Sequence, residues 1–213
     1  MSAFSKRMHR LAISKMESFL NYGKVPSHRN APHCIEDAMP RLGKLDLLQL
    51  KEHLPELERY LYYFQFTLNA YGRDVEPGLP SKKDILIPAF QHLSKSIGRE
   101  RVVWRYDPIF FSEEYTVDYH CKSFRAVAAR LGEYTEKCTV SFLDLYRHIA
   151  RTVRRLDIRP GTAEQQLQLL QKFSEIAGEY GFCIDTCAEE PGFDALGIPH
   201  ARCIDRERLE RLG

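Results

Sequence analysis

The sequence predicts an α/β protein in which parallel βα units form a partial or irregular TIM-barrel-like sheet. Three observations carry that prediction. Strand, helix, glycine, strand recurs four times from residue 60 onward, the pattern of βα units rather than hairpins. The units start near residues 61, 101, 138 and 182 without any residue recurring at that spacing, so they are structural units and not sequence repeats. Each strand is apolar on one parity and polar on the other. An eight-unit barrel takes about 250 residues and rarely fewer than about 200, so four units in 213 residues amount to roughly half of one. A barrel arc and an open doubly wound sheet both fit this pattern.

The first 59 residues form a separate, atypical helix and loop region. Met8, Leu11, Met16, Phe19 and Leu20 suit one side of a first helix. Lys15 and Glu17 interrupt what would be the apolar core of a secretory signal. Pro26, Pro32, Pro40, Gly23 and Gly43 mark a loop, and Leu45 to Leu54 reads as a helix.

The βα domain spans 60–213. Leu61 to Leu68 alternates and is aromatic-rich, as a strand does. Ser81 and Asp84 then open a helix carrying Ile85, Ile87, Phe90, Leu93 and Ile97, which stops at Gly98. Arg101 to Tyr106 is the second strand. Thr116 opens the next helix, which ends at Gly132, and Cys138 to Leu143 is the third strand. A helix begins near Asp144. Thr162 and Gln165 form a capping box for a helix that ends at Gly181. Phe182 to Cys187 is the fourth strand, and Asp205 caps a last short helix.

Composition narrows the function classes. With 44% hydrophobic and 28% charged residues the chain is globular rather than disordered. A net charge of +2 announces no nucleic-acid or membrane partner, and no apolar run approaches the roughly 20 residues of a membrane span. Six cysteines without an export signal point to reduced thiols and a cytoplasmic protein. No G-x-G-x-x-G follows the first strand and no Walker motif occurs, which removes two common nucleotide-binding readings.

The polar parity supplies the candidate site. It runs through Gln65, Thr67 and Asn69; Arg101, Val103, Arg105 and Asp107; Thr139 and Ser141; Asp185, Cys187 and Glu189. Helices cover the apolar parity, so the polar one faces a barrel interior or cleft. A buried Arg or Asp must be paired or ligand-bound. Either these residues line a polar pocket at the strand C-terminal ends, or Arg105 and Asp107 simply pair with each other or with neighbouring strands. Asp107, Asp144 and Glu189 stand where parallel α/β folds carry catalytic groups and suit acid–base or metal chemistry; helix capping is the alternative for Asp144.

Two further groups stand out. Cys187, His200 and Cys203, with Glu189 and Glu190 between them, offer the soft ligands that zinc or an iron–sulfur cluster uses; structural cysteines are the alternative, and the one the non-standard spacing favours. Arg147, Arg151, Arg154 and Arg155 fall on one helical face, able to hold phosphates of a small ligand or nucleic acid, or simply solvated.

Tyr62-Tyr-Phe-Gln-Phe-Thr-Leu-Asn69, Trp104-Arg-Tyr-Asp-Pro-Ile109, Tyr134-Thr-Glu-Lys-Cys138, Ser141-Phe-Leu-Asp-Leu-Tyr146, Thr186-Cys-Ala-Glu-Glu190 and Gly197-Ile-Pro-His-Ala-Arg-Cys-Ile-Asp205 together resemble the bacterial family called domain of unknown function 1848. The resemblance covers about residues 60–205. It implies a parallel, barrel-like α/β fold and no established activity. Longer relatives start with further strand–helix units and end in a Cys-x3-Cys-x2-Cys tail similar to the cluster motif of radical enzymes that use S-adenosylmethionine. Both are missing here, so a truncated chain is expected. Cys187, His200 and Cys203 would be half of a site that such a tail completes.

Three functions follow as expectations. The first is an enzyme-like partial barrel in which Arg105 binds an anionic group, Gln65 and Asn69 contact the ligand, and Asp107, Asp144 and Glu189 do acid–base work. The second is a phosphate or nucleic-acid binding module using Arg151, Arg154 and Arg155. The third is a non-functional fragment.

Overall fold

The computed structural model describes residues 62–143, 150–187, 193, 196–201 and 205–212. The expected helices at 8–20 and 45–54 lie outside them. In chain order the elements are β1 (Phe64–Thr67), a π-helical turn (Lys82–Leu86) running into α1 (Ile87–Ile97), β2 (Val102–Ile109), α2 (Val117–Leu131), β3 (Lys137–Phe142), α3 (Ala150–Arg155), α4 (Ala163–Glu179), β4 (Cys183–Cys187), β5 (His200–Ala201) and α5 (Arg206–Arg211).

The boundary chemistry is the expected one. Ser81, Thr116, Thr162 and Asp205 each accept from the backbone N–H three residues on, and Thr162 with Gln165 closes a reciprocal box. Gly181 sits at φ 74°, where a side chain would be strained. Gly132 ends α2 for a different reason. Its backbone is right-handed helical, but a Cβ there would lie 2.6 Å from the Tyr180 carbonyl oxygen, so the glycine serves close packing.

The strands form one sheet in the order β1-β2-β3-β4-β5, every neighbouring pair parallel. This order separates the two architectures the sequence left open. A doubly wound sheet reverses its direction of growth, whereas a strictly sequential order keeps every right-handed crossover on the same face. The sheet is a barrel-like arc, and α1, α2 and α4 pack on one side of it. Phe66, Trp104, Cys138 and Ile184 stand in one row across that side, within the core that also holds Phe90, Phe124, Leu169 and Phe173. Phe124 stacks on Phe173 at 3.8 Å and on Trp104 at 4.7 Å between ring centroids.

The opposite side carries the polar parity. Thr67, Arg105, Thr139 and Asp185 are register partners in one row. From this row the charged groups part in two directions. Arg105 reaches up to Asp107 at the strand C-terminal ends. Asp185 reaches down to Lys137, whose Nζ lies 2.6 Å from Asp185 Oδ2 and 2.7 Å from Asp205 Oδ2.

The lower end is closed by α5. Leu209 joins a small apolar cluster with Tyr63 and Val103. The Asp205 amide donates to Tyr63 Oη at 2.9 Å, and Arg101 Nη2 donates to the Leu212 carbonyl at 3.3 Å. Arg208, 3% exposed, donates to the Glu100 carbonyl. α5 thus lies beneath the starts of β1 and β2.

Candidate functional site

The upper end of the same face gathers the residues whose chemistry asks for a function. Arg105 donates from Nε and Nη2 to Asp107 Oδ2 at 3.1 and 2.8 Å, and from Nη1 to Gln65 Oε1 at 2.6 Å. Ser141 Oγ donates to the other Asp107 oxygen, and Cys187 lies near enough to the guanidinium to favour its charge. Arg105 and Asp107 are 4% and 7% exposed. Burial by itself would lower the pKa of Arg105, but the Asp107 charge and Cys187 outweigh it and hold the value above normal. The group stays a cation. Of the two sequence-level expectations for this pair, mutual pairing is what the structure shows, on the side of the sheet away from α1, α2 and α4.

Alternation explains the placement. Gln65, Arg105, Asp107, Ser141 and Cys187 share a parity on adjacent parallel strands, and parallel neighbours in register point to the same side.

Asn69 closes the network from below the loop that follows β1. Its Oδ1 accepts from the Asp107 amide and its Nδ2 donates to the Asp107 carbonyl, each at 2.8 Å. The Asn69 amide lies near the Glu76 carboxyl and favours its charged form. Glu76 is 6% exposed and paired with Lys82, which in turn donates to the Tyr71 carbonyl. Burial raises the Glu76 pKa above its ordinary 4.5, against the pull of Lys82.

Glu76 and Lys82 were not legible as site residues. Glu76 lies in Val75-Glu-Pro-Gly78, which reads as a solvated turn. Only its closeness in sequence to the end of β1 hinted otherwise. His120 was also missed, and it is structural. Its Nε2–H donates to the Phe110 carbonyl at 2.8 Å, so its Nδ1 accepts from Tyr106 Oη at 2.9 Å. Burial lowers its pKa to about 4, so it is neutral and satisfied. Tyr71 braces the same region, donating to the Pro108 carbonyl at 2.8 Å and accepting from the Phe110 amide at 3.1 Å.

The remaining sequence-level candidates are not brought to this cluster by the described residues. Asp144, Glu189 and Cys203 lie outside those residues. Arg151 is on α3, with its side chain outside them. Arg154 and Arg155 are exposed, and Arg155 Nη2 reaches the Asp74 carbonyl at 3.4 Å. Cys187 and His200 part company. Cys187 is the register partner of Ala201, and His200 that of Thr186, so the two side chains leave the sheet on opposite sides. Cys187 also faces a cation, Arg105, which opposes binding of another. Among the described residues no group of three or more His, Cys, Asp or Glu could hold a metal ion.

Among the described residues no helix is long and apolar enough to cross a membrane. No curated protein and no solved structure matches the chain. One family model does, over residues 45–213, and its description is domain of unknown function, DUF1848. The match begins ahead of residue 60 and takes in the stretch read as a helix at 45–54. With this match spanning most of the sequence, together with the sequential parallel sheet and the strings it carries, the chain belongs to the DUF1848 family.

Proposed function

We propose that the protein is an enzyme-like binding barrel whose site lies at the C-terminal ends of β1 to β4 and takes a small anionic molecule. One observation carries this reading: a buried arginine, held by Asp107 and Gln65, at the strand C-terminal ends on the face of the sheet opposite α1, α2 and α4. A buried ion pair is a poor source of stability, since an apolar set of equal volume is often as good or better. Parallel α/β folds place their chemistry at this end. Asp107 and Gln65 keep the guanidinium desolvated and aimed before a ligand arrives, which lowers the cost of binding. A ligand carboxylate or phosphate competes with Asp107 for the planar fork. Asp144 and Glu189, which follow β3 and β4 directly in sequence, would bring carboxylates for acid–base work.

Calorimetry with inorganic phosphate and with malonate tests the reading. Arg105→Lys keeps the charge but not the fork and should abolish binding, while Arg154→Ala with Arg155→Ala should leave it intact. The reverse result would move the site to the arginine face of α3 and overturn the proposal.

A further inference from the structure

The Arg105–Asp107 pair is lopsided. One oxygen of Asp107, Oδ2, accepts from both Nε and Nη2 of Arg105, at 3.1 and 2.8 Å. The other, Oδ1, is turned to Ser141 Oγ. This edge of a guanidinium matches two oxygens side by side, and Asp107 gives it one. Gln65 Oε1 holds Nη1 at 2.6 Å, so the guanidinium keeps its plane when the Nε–Nη2 edge changes partner.

Asp107 is meanwhile fixed by groups other than Arg105. Ser141 holds its Oδ1. Asn69 takes both of its main-chain groups: Oδ1 accepts from the Asp107 N–H and Nδ2 donates to the Asp107 carbonyl, each at 2.8 Å. Tyr71 Oη does the same further along, donating to the Pro108 carbonyl and accepting from the Phe110 amide. The ladder between β1 and β2 ends with the Leu68 amide on the Arg105 carbonyl at 2.9 Å. Beyond it, the side chains of Asn69 and Tyr71 take the place of a neighbouring strand along the stretch that carries Asp107. An anion arriving at Arg105 therefore meets a carboxylate that stays beside the edge it has given up.

Such an anion takes two donors from Asp107 Oδ2 and sets a second negative charge next to it. Arg105 and Asp107 are 4% and 7% exposed, and like charges at contact repel more strongly in so buried a place than in water. An anion that carries its own donor beside its charge restores a hydrogen bond to Oδ2 and relieves that repulsion. We propose that the site takes carboxylates bearing a hydroxyl or ammonium group on the adjacent carbon, with the carboxylate on the Nε–Nη2 edge of Arg105 and the donor on Asp107 Oδ2. This names the ligand class of the anion site proposed above and rests on that reading. Ser141 and Asn69 are positioning residues, which keep Asp107 in place for the donor. Hydrogen phosphate meets the same demand through its own P–OH.

Calorimetry on the full chain with malonate, hydroxymalonate and aminomalonate isolates the donor, because the three share one skeleton. Hydroxymalonate or aminomalonate should bind about 10- to 100-fold more tightly than malonate, the size of one hydrogen bond to a charged group, and the tighter of the two identifies the donor. In Asp107→Asn, whose amide has a donor of its own, that ratio should collapse toward one. In Ser141→Ala, where Asp107 is released to turn, it should shrink. A merely structural role for these residues would lower all three affinities together and leave the ratio unchanged. Three equal affinities in the unsubstituted protein, or a ratio that persists in Asp107→Asn, overturns the donor requirement and leaves the anion site standing. No binding of any of the three overturns it as well, and phosphate binding then tells whether the anion site falls with it.

Discussion

The two ends of the sheet face opposite α1, α2 and α4 are built from the same materials to different effect. At the lower end Lys137 lies between Asp185 and Asp205, and contacts of Asp205, Leu209 and Leu212 tie α5 to the starts of the strands. At the upper end Arg105 lies among Asp107, Gln65 and Cys187, and the contacts join side chains of the sheet to the loop after β1. The lower set holds an element in place. The upper set holds a guanidinium in a fixed direction. In the row of Thr67, Arg105, Thr139 and Asp185 the small Thr139 stands between the two charges. Buried charge alone therefore does not identify a site; what it fastens, and at which end of a parallel sheet, does.

The largest test of this contrast is Lys137→Met. It leaves Asp185 and Asp205 facing each other without their shared cation, and Asp185 is 4% exposed. Breaking such a buried set from one side costs about 3–5 kcal/mol. Urea denaturation should show the loss. Phosphate binding by the fraction still folded should stay as it was, and a fall in that binding would break the division between the ends.

A smaller effect of opposite sense is expected above. Arg105→Met combined with Asp107→Leu replaces the pair by apolar groups, which typically leaves stability level or raises it by about 1–4 kcal/mol. Anion binding should disappear at the same time. A loss of stability as large as that of Lys137→Met would make the upper set a structural clamp like the lower one.

The finest test is pH. Burial works to raise the Asp205 pKa, but hydrogen bonds from Lys137 and the Arg208 amide outweigh it and bring the value below the ordinary 3.8. Its stabilisation is present above 3.8 and is lost as pH falls from there through the folded-state value. Glu76 behaves in the opposite way. Its folded-state value lies above 4.5 because of burial, so the ionised group costs stability at neutral pH, and that cost fades as pH falls through the folded value toward 4.5. Urea midpoints against pH should lose the gain above 4.5 in Glu76→Gln, and the fall below 3.8 in Asp205→Asn. Equal slopes in the two variants would erase the difference between the ends.

Local signals made much of this legible. The alternation in β1, β2 and β3 was visible because aromatic and branched residues fall on one parity, where helices cover them. The capping residues Ser81, Thr116, Thr162 and Asp205 showed themselves because a short oxygen-bearing side chain before an apolar period has a strong local reason to be there. β5 was missed: His200 and Ala201 are too few to alternate, and the strand exists through its pairing with Thr186 and Cys187. β2 runs on to Ile109, past Pro108, where propensity argued for an end.

The sequence by itself determined the class of the fold and the parity on which its charges lie, because both follow from periods of a few residues. Only the tertiary structure decided what those charges do. Asp185 turned out to belong to a lower clamp with Asp205, twenty residues away, while Arg105 found Gln65, forty residues before it. Cys187 and His200 were separated by a register that no spacing rule contains. Glu76 comes near Asn69 only because the loop after β1 folds back on the end of that strand. Periodicity is local and was readable; which charges meet depends on strand register and loop closure, which only the folded chain sets.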